Sequence, residues 1–326
     1  MGIAVTTGQA QRSAATAPQR GGRIPPSVLV ITGCVSVQVG AGLAGRQFGQ
    51  VSAAGFTGLR LWWAAAILAV LGGRGLVSTA RSIVADRAWR DAAVVIAFGV
   101  TLGFMNFSIY QSFDRIPLGI AVTIEFLGPL AIAVASSRRL VDLVWVALAA
   151  AGVVALTRDG HATGHGSMIA GIAFALAAAA AWAAYILLSR STGRRFTGSG
   201  GLSIAMVIAA AVVTPTAVIS GGSALLHPAI IGIGLAVGLL SSVIPYRLEL
   251  EALRRIPARI FGIWMSMEPA VAALAGLALL HQSLGLVQWL AIGGVTVACA
   301  GAARGGPPRE SAAPPAAPPV TPPPAG

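Results

Sequence analysis

The sequence predicts an all-α integral membrane protein of ten transmembrane helices in two inverted five-helix repeats. Three observations carry that prediction. Only 10% of the 326 residues are charged and 56% are hydrophobic, against about 25% charged in an ordinary globular domain. The apolar residues fall in ten runs, most near the length of about 20 residues that crosses a hydrocarbon core about 30 Å thick. A segment of the first half recurs in the second at an offset of 140 residues.

The runs lie at about 27–45, 52–72, 92–111, 117–136, 141–157, 167–189, 201–220, 229–246, 258–280 and 284–303, the fifth and eighth being short. Ala, Gly, Leu, Val and Ile fill them, and small residues recur at the spacing that lets membrane helices approach closely. The net charge of +12 comes from 22 arginines and no lysine. With the N-terminus in the cytoplasm, eighteen arginines fall inside, only Arg46, Arg115 and Arg158 fall outside, and Arg60 lies within a span. That asymmetry is the positive-inside pattern and puts both termini in the cytoplasm. It also argues against nucleic-acid binding, which needs cations gathered on one surface.

Residues 1–26 read as a disordered cytoplasmic tail, and residues 304–326, with PPRESAAPPAAPPVTPPPAG at their end, as a Pro-rich one. Between them lie two five-helix units, 27–157 and 167–303. DRIPLGIAVTIEFLGP (114–129) aligns without a gap with RRIPARIFGIWMSMEP (254–269), so that Arg115, Ile116, Pro117 and Pro129 recur as Arg255, Ile256, Pro257 and Pro269. Because five is odd, the second unit is inverted relative to the first, an architecture common among secondary transporters.

Several motifs fail on context. GAGLAG (40–45) closes a membrane helix and follows no strand, so it serves helix packing and not a dinucleotide. Asp159, His161 and His165 share a short outside loop without a nearby Cys or Glu and read as solvated, not as a metal site. Cys34 and Cys299 stand singly inside spans as small packing residues. With no H-E-x-x-H, G-x-S-x-G or phosphate loop, nothing argues for an enzyme or a cofactor.

Three ionisable residues sit near the middle of spans: Arg60, Glu125 and Glu268. A charge at that depth costs about 2.5–3.5 kcal/mol or more and marks a polar pathway or a partner. Pro129 cannot donate to the carbonyl of Glu125, nor Pro269 to that of Met265, so each opens its helix beside a glutamate. Freed backbone at this depth is tolerated where it lines a cavity. Arg60, Glu125, Glu268, Tyr246, Tyr110 and Asn106 form the candidate substrate and proton site, with Pro129 and Pro269 as helix breaks. The structural alternative is a buried Arg60–Glu125 clamp, with Glu268 bonding a neighbouring helix. Gln38, Tyr185, Ser241 and Ser242 are further polar residues within spans. Arg247, Glu251 and Arg255 are spaced to pair along a helix end, and Asp142 to pair with Arg138 and Arg139.

At these residues the chain resembles a known family. IEFLGPLAIAVASSRRLVDLVWVALAAAGV (124–153) and SSVIPYRLELEALRRIPARIFGIWMSMEPAVAALAGL (241–277) are similar to segments of bacterial inner-membrane threonine/homoserine exporters, in the EamA-type branch of the drug/metabolite transporter superfamily. The resemblance spans roughly 27–303 and places Arg60, Glu125, Pro129, Tyr246, Glu268 and Pro269 in recurrent positions. It implies two inverted EamA-type repeats, export of small amino acids or related metabolites, and coupling to protons. His281 and Gln282 stand where many relatives carry an acid. The expected partners are a small-molecule substrate, protons and the lipid bilayer, with room for a homodimer. An EamA-type exporter of another metabolite or drug, and a non-transporting scaffold or sensor, are the alternatives.

Overall fold

The protein is described by a computed structural model over residues 24–85, 88–135, 141–158, 167–195 and 200–305. Every regular element among the described residues is helical. The first half holds α1 (Pro26–Gly45), α2 (Ala53–Leu71), α3 (Gly73–Ala85), α4 (Trp89–Phe113), α5 (Leu118–Glu125), α6 (Leu127–Ala135) and α7 (Val141–Arg158). The second holds α8 (Met168–Arg195), α9 (Gly200–Gly221), α10 (Pro228–Gly238), α11 (Ile244–Arg255), α12 (Ala258–Met265), α13 (Glu268–Leu280) and α14 (Leu286–Gly305). A π-helical turn, Leu239–Val243, joins α10 to α11.

Among the described residues, nine helical segments are long and apolar enough to cross a membrane, with α5–α6, α10–α11 and α12–α13 each counting as one. The fifth run appears as a shorter apolar helix, Leu143–Ala155, within α7. The eighth extends nine residues past its expected end at 246, to Arg255. The helix α3 lies outside all ten runs. The expectations for residues 1–23 and 306–326, for Asp159, His161 and His165, and for the pairing of Asp142 with Arg138 and Arg139 lie outside the described residues.

Helix starts follow the local chemistry. Proline occupies the first turn of α1 and α10, where a missing N–H costs nothing. Ser52 caps α2 by accepting from the Gly55 amide at 3.0 Å. Pro117 and Pro257 precede α5 and α12 with nearly the same backbone, φ −53°, ψ 141° and φ −57°, ψ 143°. The two breaks match as well: Phe126 (φ −64°, ψ −11°) ends α5 and Ser266 (φ −63°, ψ −12°) ends α12. These matches fall at the same 140-residue offset as the sequence identities.

The first break is clamped from both sides by close helix contact. A Cβ on Gly119 would lie 2.7 Å from the Ala273 Cα, and one on Gly128 would lie 2.2 Å from the Ala179 carbonyl oxygen. Backbone thus packs on backbone, α5 against α13 and α6 against α8, at the separation only small residues permit. The largest apolar core surrounds α5 and includes Phe56, Ile116, Leu118, Ile120 and Ile124.

At the face opposite the start of α1, polar ties join the helix ends. Arg46 Nε donates to the Leu279 carbonyl at 2.7 Å, and the Leu118 amide donates to Gln282 Oε1 at 2.9 Å. The Gln282 side chain therefore caps α5. At the face where α1 begins, Arg255 Nη1 donates to the Ile24 carbonyl at 3.1 Å, and Glu251 pairs with both Arg255 and Arg254.

Replacing Gly128 by Val should force α6 off α8 and cost about 1–3 kcal/mol or more. Gly232→Ala, with nothing within 4 Å of the added Cβ, should not destabilise. Thermal unfolding of the two variants in detergent checks the contrast.

Candidate functional site

A cavity of about 270 Å³ lies between the two halves. All six side chains named as the candidate site from sequence line it: Arg60, Asn106, Tyr110, Glu125, Tyr246 and Glu268. So do Gln38, Tyr185, Ser241 and Ser242. Pro129 and Pro269 are absent from the lining; their part is to shape the backbone at Glu125 and Met265.

Arg60 projects from α2 and is 3% exposed. Its Nη2 donates to Asn106 Oδ1, and its Nη1 donates to Ser241 Oγ at 3.1 Å and, at the limit of bonding, to Ser242 Oγ at 3.5 Å. The guanidinium lies 4.4 Å from the centroid of the Tyr110 ring, a cation–π contact. Each neutral partner is anchored in turn. Asn106 Nδ2 donates to the Leu102 carbonyl at 2.8 Å, and Ser241 Oγ donates to the Val237 carbonyl at 2.7 Å. The π turn supplies two consecutive serines to one guanidinium, and Ser36 Oγ bonds the turn's Leu240 carbonyl at 2.7 Å.

The clamp between Arg60 and Glu125 does not form. Among the described residues Arg60 has no carboxylate within salt-bridge distance, and its Nε has no hydrogen-bond partner. A buried guanidinium held only by neutral groups retains most of its charge for an incoming anion.

Glu125 is the last residue of α5. Its own carbonyl faces Pro129, which has no N–H, and the carbonyl end of any helix carries partial negative charge. A carboxylate at that end creates a locus for a cation. Glu268 has the opposite setting, in the first turn of α13, where the helix amides favour a carboxylate. Gln38 Nε2 donates to Glu268 Oε1 at 3.0 Å, while Glu268 Oε2 and Gln38 Oε1 remain unpartnered. The neighbouring-helix bond expected of Glu268 is thus present, and half its carboxylate stays available.

An aromatic wall completes the cavity. Tyr110 packs against Phe113 (5.4 Å) and Phe48 (6.3 Å), and Trp182 meets Phe126 edge-on at 4.9 Å. The Tyr110 hydroxyl faces Ser241 without completing a hydrogen bond. Toward the opposite face the lining ends at Ala41, Phe113 and Val122, backed by the α5 core. Toward the face where α1 begins it continues past Tyr185, Met206, Leu68 and Leu202, close to the ends of α2 and α9. The lining therefore runs from the buried α5 core toward the face where α1 begins.

Sequence reasoning missed Glu249, which also lines the cavity. It lies three residues after Tyr246, hence on the same helix face. With the eighth span ending at 246, position 249 read as part of a charged helix end. The spacing from Tyr246 was the signal that could have found it.

A polar-lined cavity between interrupted membrane helices is the architecture of a membrane transporter. Residues 169–304 match the EamA-like transporter family. The chain is 41% identical over 277 residues to the threonine/homoserine exporter RhtA of Escherichia coli (strain K12), covering 85% of this chain and 90% of that protein. Identity to RhtA of Salmonella typhimurium (strain LT2) is 39% over 277 residues, with the same coverage of both chains, 85% and 90%. The chain belongs to the EamA-like transporter family, and these relatives are transporters, not enzymes. A crystal structure of a protein only 19% identical shares the fold with a TM-score of 0.55, over 86% of this chain and 98% of the other.

Gln38→Leu should remove the bond to Glu268 and cost about 1–3 kcal/mol by leaving a buried carboxylate unmet. Combined with Glu268→Leu, the loss should be well below the sum of the single losses. A double-mutant cycle on detergent melting measures both.

Proposed function

We propose that the chain is a secondary active exporter of small amino acids of the threonine/homoserine kind, exchanging them for protons. The observation that supports this best is the pairing of two poles in one cavity. Arg60, held by neutral partners, meets a carboxylate; Glu125, at the carbonyl end of α5, meets an ammonium. A zwitterionic amino acid satisfies both at once. The relatives carry threonine and homoserine in their names. The cavity, at about 270 Å³, falls below the roughly 300–1,000 Å³ of drug-sized pockets, which favours a small metabolite. The aromatic wall supports a second reading, in which the solute is a more apolar amine or amino acid; competition by a panel of unlabelled compounds separates the two.

In this mechanism proton and ammonium compete for Glu125, so the carrier returns protonated after releasing substrate. The two five-helix units, 27–157 and 167–303, act as inverted repeats that rock about the cavity. Both termini lie in the cytoplasm of a bacterial inner membrane. The face where α1 begins is then cytoplasmic, and a cavity reaching toward it is placed for loading before export.

Proteoliposomes with labelled threonine and an imposed pH gradient test the scheme. Arg60→Gln should weaken apparent affinity roughly 10–100-fold, the worth of a charge-assisted bond of about 1.5–3 kcal/mol. In the wild type, substrate binding should weaken as pH falls, because the proton displaces the ammonium. Glu125→Gln should abolish gradient-driven flux and remove that pH dependence.

Sidedness is tested by cysteine labelling after Cys34 and Cys299 are replaced by Ala. Leu202→Cys should react with a membrane-impermeant thiol reagent from the cytoplasmic face, whereas fully buried Ile116→Cys should stay unlabelled from either side.

A further inference from the structure

The scheme above uses Arg60 and Glu125 and leaves two carboxylates of the cavity without a task. Glu249, on α11, lies against Gly33 of α1, where a Cβ would sit 3.8 Å from its Cγ and 3.9 Å from its Oε1. Glu268, on α13, is held by Gln38 of the same helix. Positions 33 and 38 are separated by about 7.5 Å of helix rise, so both acids lie along one short stretch of α1. They are within electrostatic reach of each other, and both reach Cys34.

The groups facing Glu249 offer no compensating charge. From α1 comes Cys34, from α8 Tyr185, from α13 Glu268, and from its own helix Tyr246. Neither acid has a salt bridge among the described residues. Two carboxylates sharing one low-dielectric cavity without a salt bridge favour a proton or a cation in the space they line. A second observation points the same way: Glu268, 7% exposed, lines the cavity with Oε2 unpartnered, and Gln38, 2% exposed, does so with Oε1 unpartnered.

Position assigns the order. Glu125 feels Glu268, and Glu268 feels Glu249. Glu125 and Glu268 stand at the helix breaks, while Glu249 lies six residues past the π turn on α11, and Leu68, Leu202 and Met206 line the cavity toward its end at the face where α1 begins. The three acids form a series from the substrate pole to that end.

We propose that Glu249 and Glu268 form a two-carboxylate proton site distinct from the substrate poles, with Glu249 exchanging its proton with water from the face where α1 begins. This rests on the antiport reading. In the transfer, the O–H bond at Glu268 Oε2 breaks and one forms at a carboxylate oxygen of Glu249, directly or through one water, leaving the negative charge on Glu268. Release of that proton to water restores the Glu249 carboxylate. The ammonium of the substrate is the rival occupant: were Glu249 its contact, loss of Glu249 would weaken binding itself.

The test has two arms on the full chain. In proteoliposomes, Glu249→Gln should lose at least about tenfold of pH-gradient-driven net threonine flux. It should keep threonine–threonine exchange, which moves no net proton, with unchanged apparent affinity; Glu249→Asp should recover part of the net flux. Retained net flux in Glu249→Gln, or loss of exchange along with it, overturns the proposal. The second arm uses no substrate. Infrared pH titration of the purified protein follows carboxyl bands in wild type, Glu249→Gln and Glu268→Gln. Each variant should lack one titrating band and shift the other acid's midpoint by about one pH unit or more, as a coupled pair requires. Independent titration overturns the pair, whatever the transport result. Wild-type net flux indifferent to the pH gradient would sink the antiport reading, and the transport role of Glu249 with it. A coupled pair seen by infrared would in that case stand without that role.

Discussion

An interrupted helix in hydrocarbon leaves carbonyls that no water can reach, and each unmet group costs several kcal/mol. The fold is organised around two such interruptions, after Glu125 and after Met265. Proline fixes where each occurs, and close backbone packing at Gly119 and Gly128 holds the first in place. Because the openings are tolerable only against a polar space, the cavity has to lie beside them. The position of Glu125 follows from the break itself, since the residue that ends α5 is the one whose carbonyl Pro129 leaves free.

Within that space the charges are arranged by what surrounds them more than by direct pairing. Arg60 has hydroxyl, amide and aromatic neighbours, none of which cancels its charge. Glu125 and Glu268 sit at opposite kinds of helix end, one facing carbonyls and the other amides. A buried ion pair across the cavity would have filled it with its own electrostatics. Keeping Arg60 and Glu125 apart leaves neither of them in an ion pair among the described residues.

Much of this was legible in the sequence because the membrane makes charge expensive. Arg60, Glu125 and Glu268 stand out against apolar surroundings, and the structure puts all three in one cavity. Hydropathy likewise found the spans and marked the fifth as short, and α7 does present only a short apolar helix, Leu143–Ala155. Glu249 escaped because its neighbours Arg247, Glu251, Arg254 and Arg255 look like a water-exposed end. Yet the helix from Pro228 to Arg255 has 28 residues, about 42 Å at 1.5 Å each, and carries charge-rich turns alongside the cavity. The π turn left no mark either, since no residue type announces one. The amphipathic α3 was passed over because its hydropathy is too low for a span.

The π turn at Leu239–Val243 amounts to one residue more than an α-helix needs. Each residue of an α-helix turns the chain by about 100°, so that single addition sets the azimuth of everything after it. Tyr246 and Glu249 face the cavity, and Arg247 faces away, because of it. Removing one residue between 239 and 243 would rotate the whole of α11 by that step without altering any side chain beyond the deletion. Within this fold the composition of the cavity wall is thus a matter of helical phase, and a change of one codon in length could re-line it as thoroughly as several substitutions.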